Sequence, residues 1–213
     1  MKNMIVEVGH RLLSVPICYD AFQAVVGSVR FRKKYVRENL KSFKMENILD
    51  LGCGTASTAE LLPESSSYVG IDTSEKYLKK AKNRTKHLNA ALINEDIASG
   101  GWIRDFRMDS PTLAFALGIY HHLDERRFAD TVSNLSKALS PGSKIVSLDP
   151  VIDENTTKLA SWFARNDRGK FVRKSEDYFE LFSKSGFSME YEITRKSFRI
   201  PYDLILISAT RKE

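Results

Sequence analysis

The chain has 213 residues, of which 42% are hydrophobic and 28% charged, ordinary usage for a globular domain that leaves out disordered and fibrous classes. Its two cysteines, Cys18 and Cys53, cannot build a disulfide framework, and no apolar run approaches the roughly 20 residues that span a bilayer, so a cytoplasmic protein with no membrane partner is expected. The formal net charge of +6 is unevenly spread: residues 1–46 hold nine basic side chains against four acidic ones, which suits either a solvated helix face or an anionic partner.

Within residues 10–31, Tyr19, Phe22, Gln23 and Phe31 lie among apolar residues and suggest a helical extension over a cleft, with Tyr19 and Gln23 as candidate acceptor contacts. From residue 47 onward, strand and helix patterns alternate. Asn47–Leu51 reads as a buried strand entering Gly52-Cys53-Gly54, and Thr58–Leu62 as the start of a helix stopped by Pro63. Tyr68–Asp72 is a second strand. Ser74–His87 follows as a helix with Tyr77, Leu78 and Ala81 on one apolar face. Ala90–Asn94 and Thr112–Leu117 give the third and fourth strands. Asp124–Leu139 is an amphipathic helix carrying Phe128, Val132, Leu135 and Leu139 at helical spacing. After the Pro141-Gly142 turn comes a fifth strand, Lys144–Leu148. Trp162–Arg173 reads as a loop in which an aromatic pair precedes Arg165, Arg168, Lys170 and Arg173, so Trp162, Arg165 and Arg168 are candidate contacts for an acidic or hydroxylated acceptor. Ser175–Ser185 is a helix ending at Gly186. The runs Ser188–Thr194 and Leu204–Thr210 have no helical segment between them and pair antiparallel at the sheet edge. The expected fold is α/β: a Rossmann-like, seven-stranded, mostly parallel sheet with an antiparallel edge hairpin, preceded by an N-terminal helical extension over 1–46.

In such a sheet ligands bind beyond the carboxyl ends of the strands, where strand order reverses. Gly52 and Gly54 allow a sharp turn there and a close backbone approach to a ligand. A dinucleotide fingerprint asks for a third glycine where Ser57 stands, and no Gly-Lys-Ser/Thr phosphate loop is present. Asp50, two residues before the turn, repels a pyrophosphate and suits a cationic ligand. Asp72 ends the second strand at a spacing suited to ribose hydroxyls, and Glu95-Asp96-Ile97 follows the third. One such acid is explained by helix capping; three at neighbouring strand ends are not.

These segments resemble class I S-adenosylmethionine-dependent methyltransferases. Ile48-Leu49-Asp50-Leu51-Gly52-Cys53-Gly54-Thr55 is similar to the family's first motif, Gly70-Ile71-Asp72 and Glu95-Asp96-Ile97 to its second and third acidic sites. Ala116–Leu123 resembles the segment after its fourth strand, and Leu139-Ser140-Pro141-Gly142-Ser143 its Leu-Lys-Pro-Gly-Gly turn, with Ser143 in place of the second glycine. The resemblance implies S-adenosylmethionine as cofactor. Gly52 and Gly54 then line its methionyl part, Asp50 meets the ammonium directly or through water, and Asp72 binds the ribose. Asp96 accepts the adenine amino group, Ile97 packs on the ring, and Leu117 completes the set.

Methyl transfer asks mainly for an acceptor held in line, and for a base if a hydroxyl must lose its proton. His121 and His122 are the candidate bases, with no choice between them at this stage. No metal is expected, since His121-His122-Asp124 lacks zinc spacing, and Asp149, Asp153 and Glu154 read equally as an oxygen-rich site or as solvated loop. Base-amine methylating relatives carry Asp/Asn-Pro-Pro-Tyr/Phe after the fourth strand, where this chain has Gly118-Ile119-Tyr120-His121; its Asp149-Pro150 follows the fifth. The expected reaction is O-methylation of a small molecule, a sugar or other metabolite, without a nucleic-acid partner. The alternatives are an RNA methyltransferase using basic residues 30–44 and a non-catalytic cofactor-binding subunit.

Overall fold

The structure is a computed structural model that describes residues 28–40, 47–105, 111–166, 169–195, 197 and 201–213. Tyr19, Gln23 and Arg168, together with most of the helical extension expected over 10–31, lie outside the described residues.

Helix α1 (Ser28–Leu40) precedes β1 (Asn47–Leu51), β2 (Ser67–Ile71), α2 (Glu75–Arg84), β3 (Asn89–Ile93), the short α3 (Trp102–Asp105) and β4 (Leu113–Leu117). Then come α4 (Glu125–Ala138), β5 (Lys144–Pro150), α5 (Lys158–Arg165), α6 (Ser175–Lys184), β6 (Phe187–Thr194) and β7 (Leu204–Arg211). The seven strands form one sheet in the order β3-β2-β1-β4-β5-β7-β6. The pairs β1/β2, β2/β3, β1/β4 and β4/β5 are parallel, while β7 runs antiparallel to both β5 and β6. Strand order reverses between β1 and β4, which opens the crevice above their carboxyl ends.

Apolar strands make this sheet a core element: every residue of β4 is buried. Period-two alternation sends Leu49 and Leu51 to one face, against Trp102, Phe128, Val132 and Phe182. Ile48 goes to the other, with Tyr35, Val36, Ala59, Tyr68 and Phe115. The covering helices are capped as their sequences predict. Ser74 Oγ accepts the Tyr77 N–H at α2, and Asp124 accepts the Arg127 N–H at 2.9 Å at α4. Fully buried Phe128, Val132 and Leu135 each contribute about 1.5–3 kcal/mol by leaving water.

Two local expectations are corrected. The helix expected from Thr58 is only a 3-10 turn, Ala59–Leu61, because Leu62 precedes Pro63 and takes an extended conformation (φ −85°, ψ 142°). The segment read as a loop from Trp162 begins as α5, whose Thr157 cap accepts the Ala160 N–H at 3.2 Å. No helix among the described residues is long and apolar enough to cross a membrane.

Candidate active site

The chain leaves β1 through Gly52 and Gly54, both left-handed (φ +62° and +55°). A Cβ on Gly52 would also run into Ile119, 2.6 Å away, so that position tolerates only glycine. Cys53 N–H closes the turn on Ile71 O at 3.0 Å. Beside it, Asp72 is held by two amides: its carboxylate accepts the Gly54 N–H at 2.9 Å and the Ser74 N–H at 2.8 Å. Burial pushes the Asp72 carboxyl up, and those two amide bonds oppose the shift.

Asp50 sits beneath the turn, on the same face of β1 as Ile48. Its carboxylate is 3% exposed and accepts hydrogen bonds from Thr58 (2.9 Å) and Tyr68 (2.7 Å). Loss of water pushes its pKa up to about 6 despite the two hydroxyl donors. It does not line the open cleft. After β3, the loop bearing Asp96 is anchored from behind, where Ile97 O accepts from Trp102 Nε1 (3.0 Å) and Asn134 Nδ2 (3.3 Å). Asp96 accepts the Ala98 N–H at 2.9 Å and pairs with Arg127 at 2.7 Å.

Helix α1 crosses the other end. A Cβ added to Gly118 would lie 3.2 Å from the Arg32 guanidinium. Glu60 joins Lys33 of α1 (2.6 Å) to Arg84 of α2 (3.2 Å), and Arg84 also bonds the Thr55 carbonyl and hydroxyl. Tyr35 donates to Ser147 O at 3.3 Å, tying α1 to β5.

One cleft of about 560 Å³ collects Gly52, Gly54, Asp72, Asp96, Ile97, Leu117 and His122 from the candidate residues. His121 faces the other way. It is 5% exposed, its Nδ1 lies 2.6 Å from Asp149, and its ring stacks on that of His122 at 4.1 Å between centroids. Trp162 and Arg165 do not line this cleft: Trp162 is 58% exposed and packs edge-on against Phe163, and Arg165 donates to Ser161. The cleft also takes in Arg32, Lys33, Glu60, Arg84 and Arg127, which the sequence does not mark as cleft residues; its one signal is the basic charge of residues 30–44, which suits either a solvated face or an anionic partner. Chemically, the cleft suits an elongated ligand with polar ends. Cations stand at the α1 end, carboxylates at the tips of β2 and β3, and the Asp50 charge under the turn favours a positive group above it.

A family described as a methyltransferase domain matches residues 48–142. A demethylmenaquinone methyltransferase of Staphylococcus saprophyticus is 30% identical over 170 residues, which cover 74% of this chain and 69% of that protein. An O-methyltransferase of Aspergillus nomiae is 28% identical over 127 residues, 55% of this chain and 52% of that one. Among solved structures, the N-methyltransferase NodS of Bradyrhizobium japonicum, in complex with S-adenosyl-L-homocysteine, superposes with a TM-score of 0.64 at 19% identity, covering 86% of this chain and 87% of that one. The sheet order, the glycine turn and these matches agree: the chain belongs to the class I S-adenosylmethionine-dependent methyltransferases, with S-adenosylmethionine as its cofactor.

Proposed function

We propose that this cytoplasmic enzyme methylates a hydroxyl oxygen of a small-molecule acceptor, with His122 as the base that takes the hydroxyl proton. The observation that carries the reading is that His122 opens into the same cleft as the glycine turn and the acids at the strand tips, while His121 is committed to Asp149. When bound, S-adenosylmethionine supplies an electrophilic methyl group on a sulfonium. The chain's own residues then hold, orient and deprotonate. Asp72 accepts from the ribose, Asp96 from the adenine amino group with Ile97 and Leu117 against the ring, and Gly52 and Gly54 admit the methionyl part. Arg32 pairs with the methionyl carboxylate, and the Asp50 charge acts through the turn on the ammonium. An imidazole is suited to the proton transfer because it exchanges protons near neutral pH.

The small-molecule reading draws on relatives whose names specify demethylmenaquinone methylation and O-methylation. It also draws on Arg32 and Lys33, two of the basic residues on which an RNA reading would rely, facing the cleft rather than forming an outer surface. Helix α1, with Arg32 and Lys33 lining the cleft, serves in this reading as a cover at the methionyl end. The test is a panel of phenols, sugars, a reduced short-chain demethylmenaquinone and RNA, incubated with isotopically labelled cofactor and read by mass spectrometry. Gain of one labelled methyl on an oxygen of a small molecule is expected. Transfer to RNA alone, or to carbon or nitrogen alone, overturns the reading.

A further inference from the structure

The turn that carries His122 is gripped by two buried charges of opposite sign, neither of which lines the cleft. At the end of β5, fully buried Asp149 faces the amide side. Its carboxylate accepts the N–H groups of Ile119 (3.2 Å), Tyr120 (3.0 Å) and His121 (2.9 Å), besides the contact with His121 Nδ1. Arg173, 8% exposed, faces the carbonyl side. Its guanidinium donates to Tyr120 O at 3.0 Å and Leu123 O at 2.6 Å, and lies 4.8 Å above the Phe128 ring. Among the described residues no carboxylate comes within 4.0 Å of Arg173, so the peptide groups of the turn separate the two charges.

Buried charges are costly unless aligned dipoles or counter-charges offset them, and here one short segment serves both: the amides of Ile119, Tyr120 and His121 meet Asp149, and the carbonyls of Tyr120 and Leu123 meet Arg173. The turn is thereby fixed from both ends. The segment bearing Arg173 is docked on it as well: Phe171 N–H donates to His121 O at 3.0 Å, and a Cβ on Gly169 would overlap the His121 ring.

We propose that Asp149 and Arg173 form a charge clamp that positions His122 for methyl transfer and makes its placement depend on the docking of residues 169–173. Both are positioning residues that act through the backbone of 119–123. The inference rests on the reading of His122 as the base.

The test compares the full chain with Arg173→Met, Arg173→Lys and Asp149→Asn. Binding of S-adenosyl-L-homocysteine, measured by calorimetry, is expected to stay within about twofold, because the glycine turn, Asp72 and Asp96 are untouched. Methyl transfer to a hydroxyl oxygen of reduced short-chain demethylmenaquinone is expected to lose about 100-fold in kcat in R173M and D149N, with the cofactor KM unchanged, as for a reacting group displaced by about 1 Å. R173K recovers about tenfold of that loss by restoring the cation. An NMR arm needs no acceptor. In the S-adenosyl-L-homocysteine complex, the His122 ring signals move or broaden in R173M and D149N, while the amide signals of Gly54 and Ile97 stay in place. Variants that melt like the parent and keep the His122 signals unmoved overturn the clamp. If R173M does not fold, the nearly isosteric D149N decides on the same readouts. Failure of the parent to methylate the quinol bears on the acceptor reading alone, since the NMR arm still decides the clamp.

Discussion

Around β1–β3 the acids facing the cleft stand at strand tips, half-buried, each oriented by backbone amides: Asp72 by Ser74 of its own loop and Gly54 of the neighbouring turn, Asp96 by Ala98. Around β4–β5 the corresponding acid, Asp149, is fully buried and never reaches the cleft; it works through three amides and a histidine. The first arrangement leaves carboxylate lone pairs for a ligand's hydroxyl and amino groups. The second spends them on the protein itself. In the proposed reading, binding and transfer draw on the same residue type placed at different depths, and substitutions on the two sides should separate affinity from turnover.

The strongest way to break that division is His122→Ala. If His122 is the base proposed above, its loss should lower kcat for a hydroxyl acceptor by about 100- to 10,000-fold, with S-adenosyl-L-homocysteine affinity retained in calorimetry. Parallel losses in both would mean that the two halves are not separable.

Asp50 offers a test on the binding side. In the unfolded chain its carboxyl titrates near 4, and in the folded protein burial raises it to about 6. Below pH 4 both forms are protonated and nothing is lost. Between these values the unfolded chain releases its proton first, so stability falls as pH rises, by at most about 3 kcal/mol, and stays lowered above pH 6. Asp50→Asn should therefore gain on the parent between pH 4 and pH 6 in urea denaturation. An unchanged difference across that window would remove the buried charge from the argument.

Asp72→Ala should weaken cofactor binding by about 2 kcal/mol, through lost charge-assisted bonds, while kcat at saturating cofactor changes little. The smallest effect is expected of Tyr120→Phe. The Tyr120 hydroxyl is buried on the transfer side with no hydrogen-bond partner among the described residues, and burial pushes its pKa upward. Its removal should leave stability unchanged or raise it by about 1 kcal/mol, read as a small upward shift in Tm.

Much of this architecture was legible in the sequence, because strands and helix faces announce themselves by period. The buried run Asn47–Leu51 entering the glycine turn and the helical spacing of Phe128, Val132 and Leu135 identify their elements, and the glycine pair with Asp72 and Asp96 marks the cleft. Local chemistry misled where two signals competed. Thr58 resembled a helix start, yet its hydroxyl serves Asp50, and Pro63 leaves room for only one tight turn. Eight residues from Lys158 to Arg165 were too few, and too mixed in aromatic and basic character, to stand out as a helix. Convergence over long separations stayed hidden. Nothing near Arg173 in the chain says that it will meet the carbonyls of Tyr120 and Leu123, and Asp149 read equally well as a solvated loop acid.

The position of β7 carries a consequence for synthesis. It follows β6 in the chain yet lies inside it, with Lys144 of β5 opposite Thr210 and Phe187 of β6 opposite Arg211. While a ribosome is still producing residues 204–211, β5 presents an open edge and β6 has no strand to join. Closure then depends on contacts distant in sequence, which form slowly and leave sticky edges waiting. A nascent chain stalled just before β7 should be the form of this protein that most needs a chaperone.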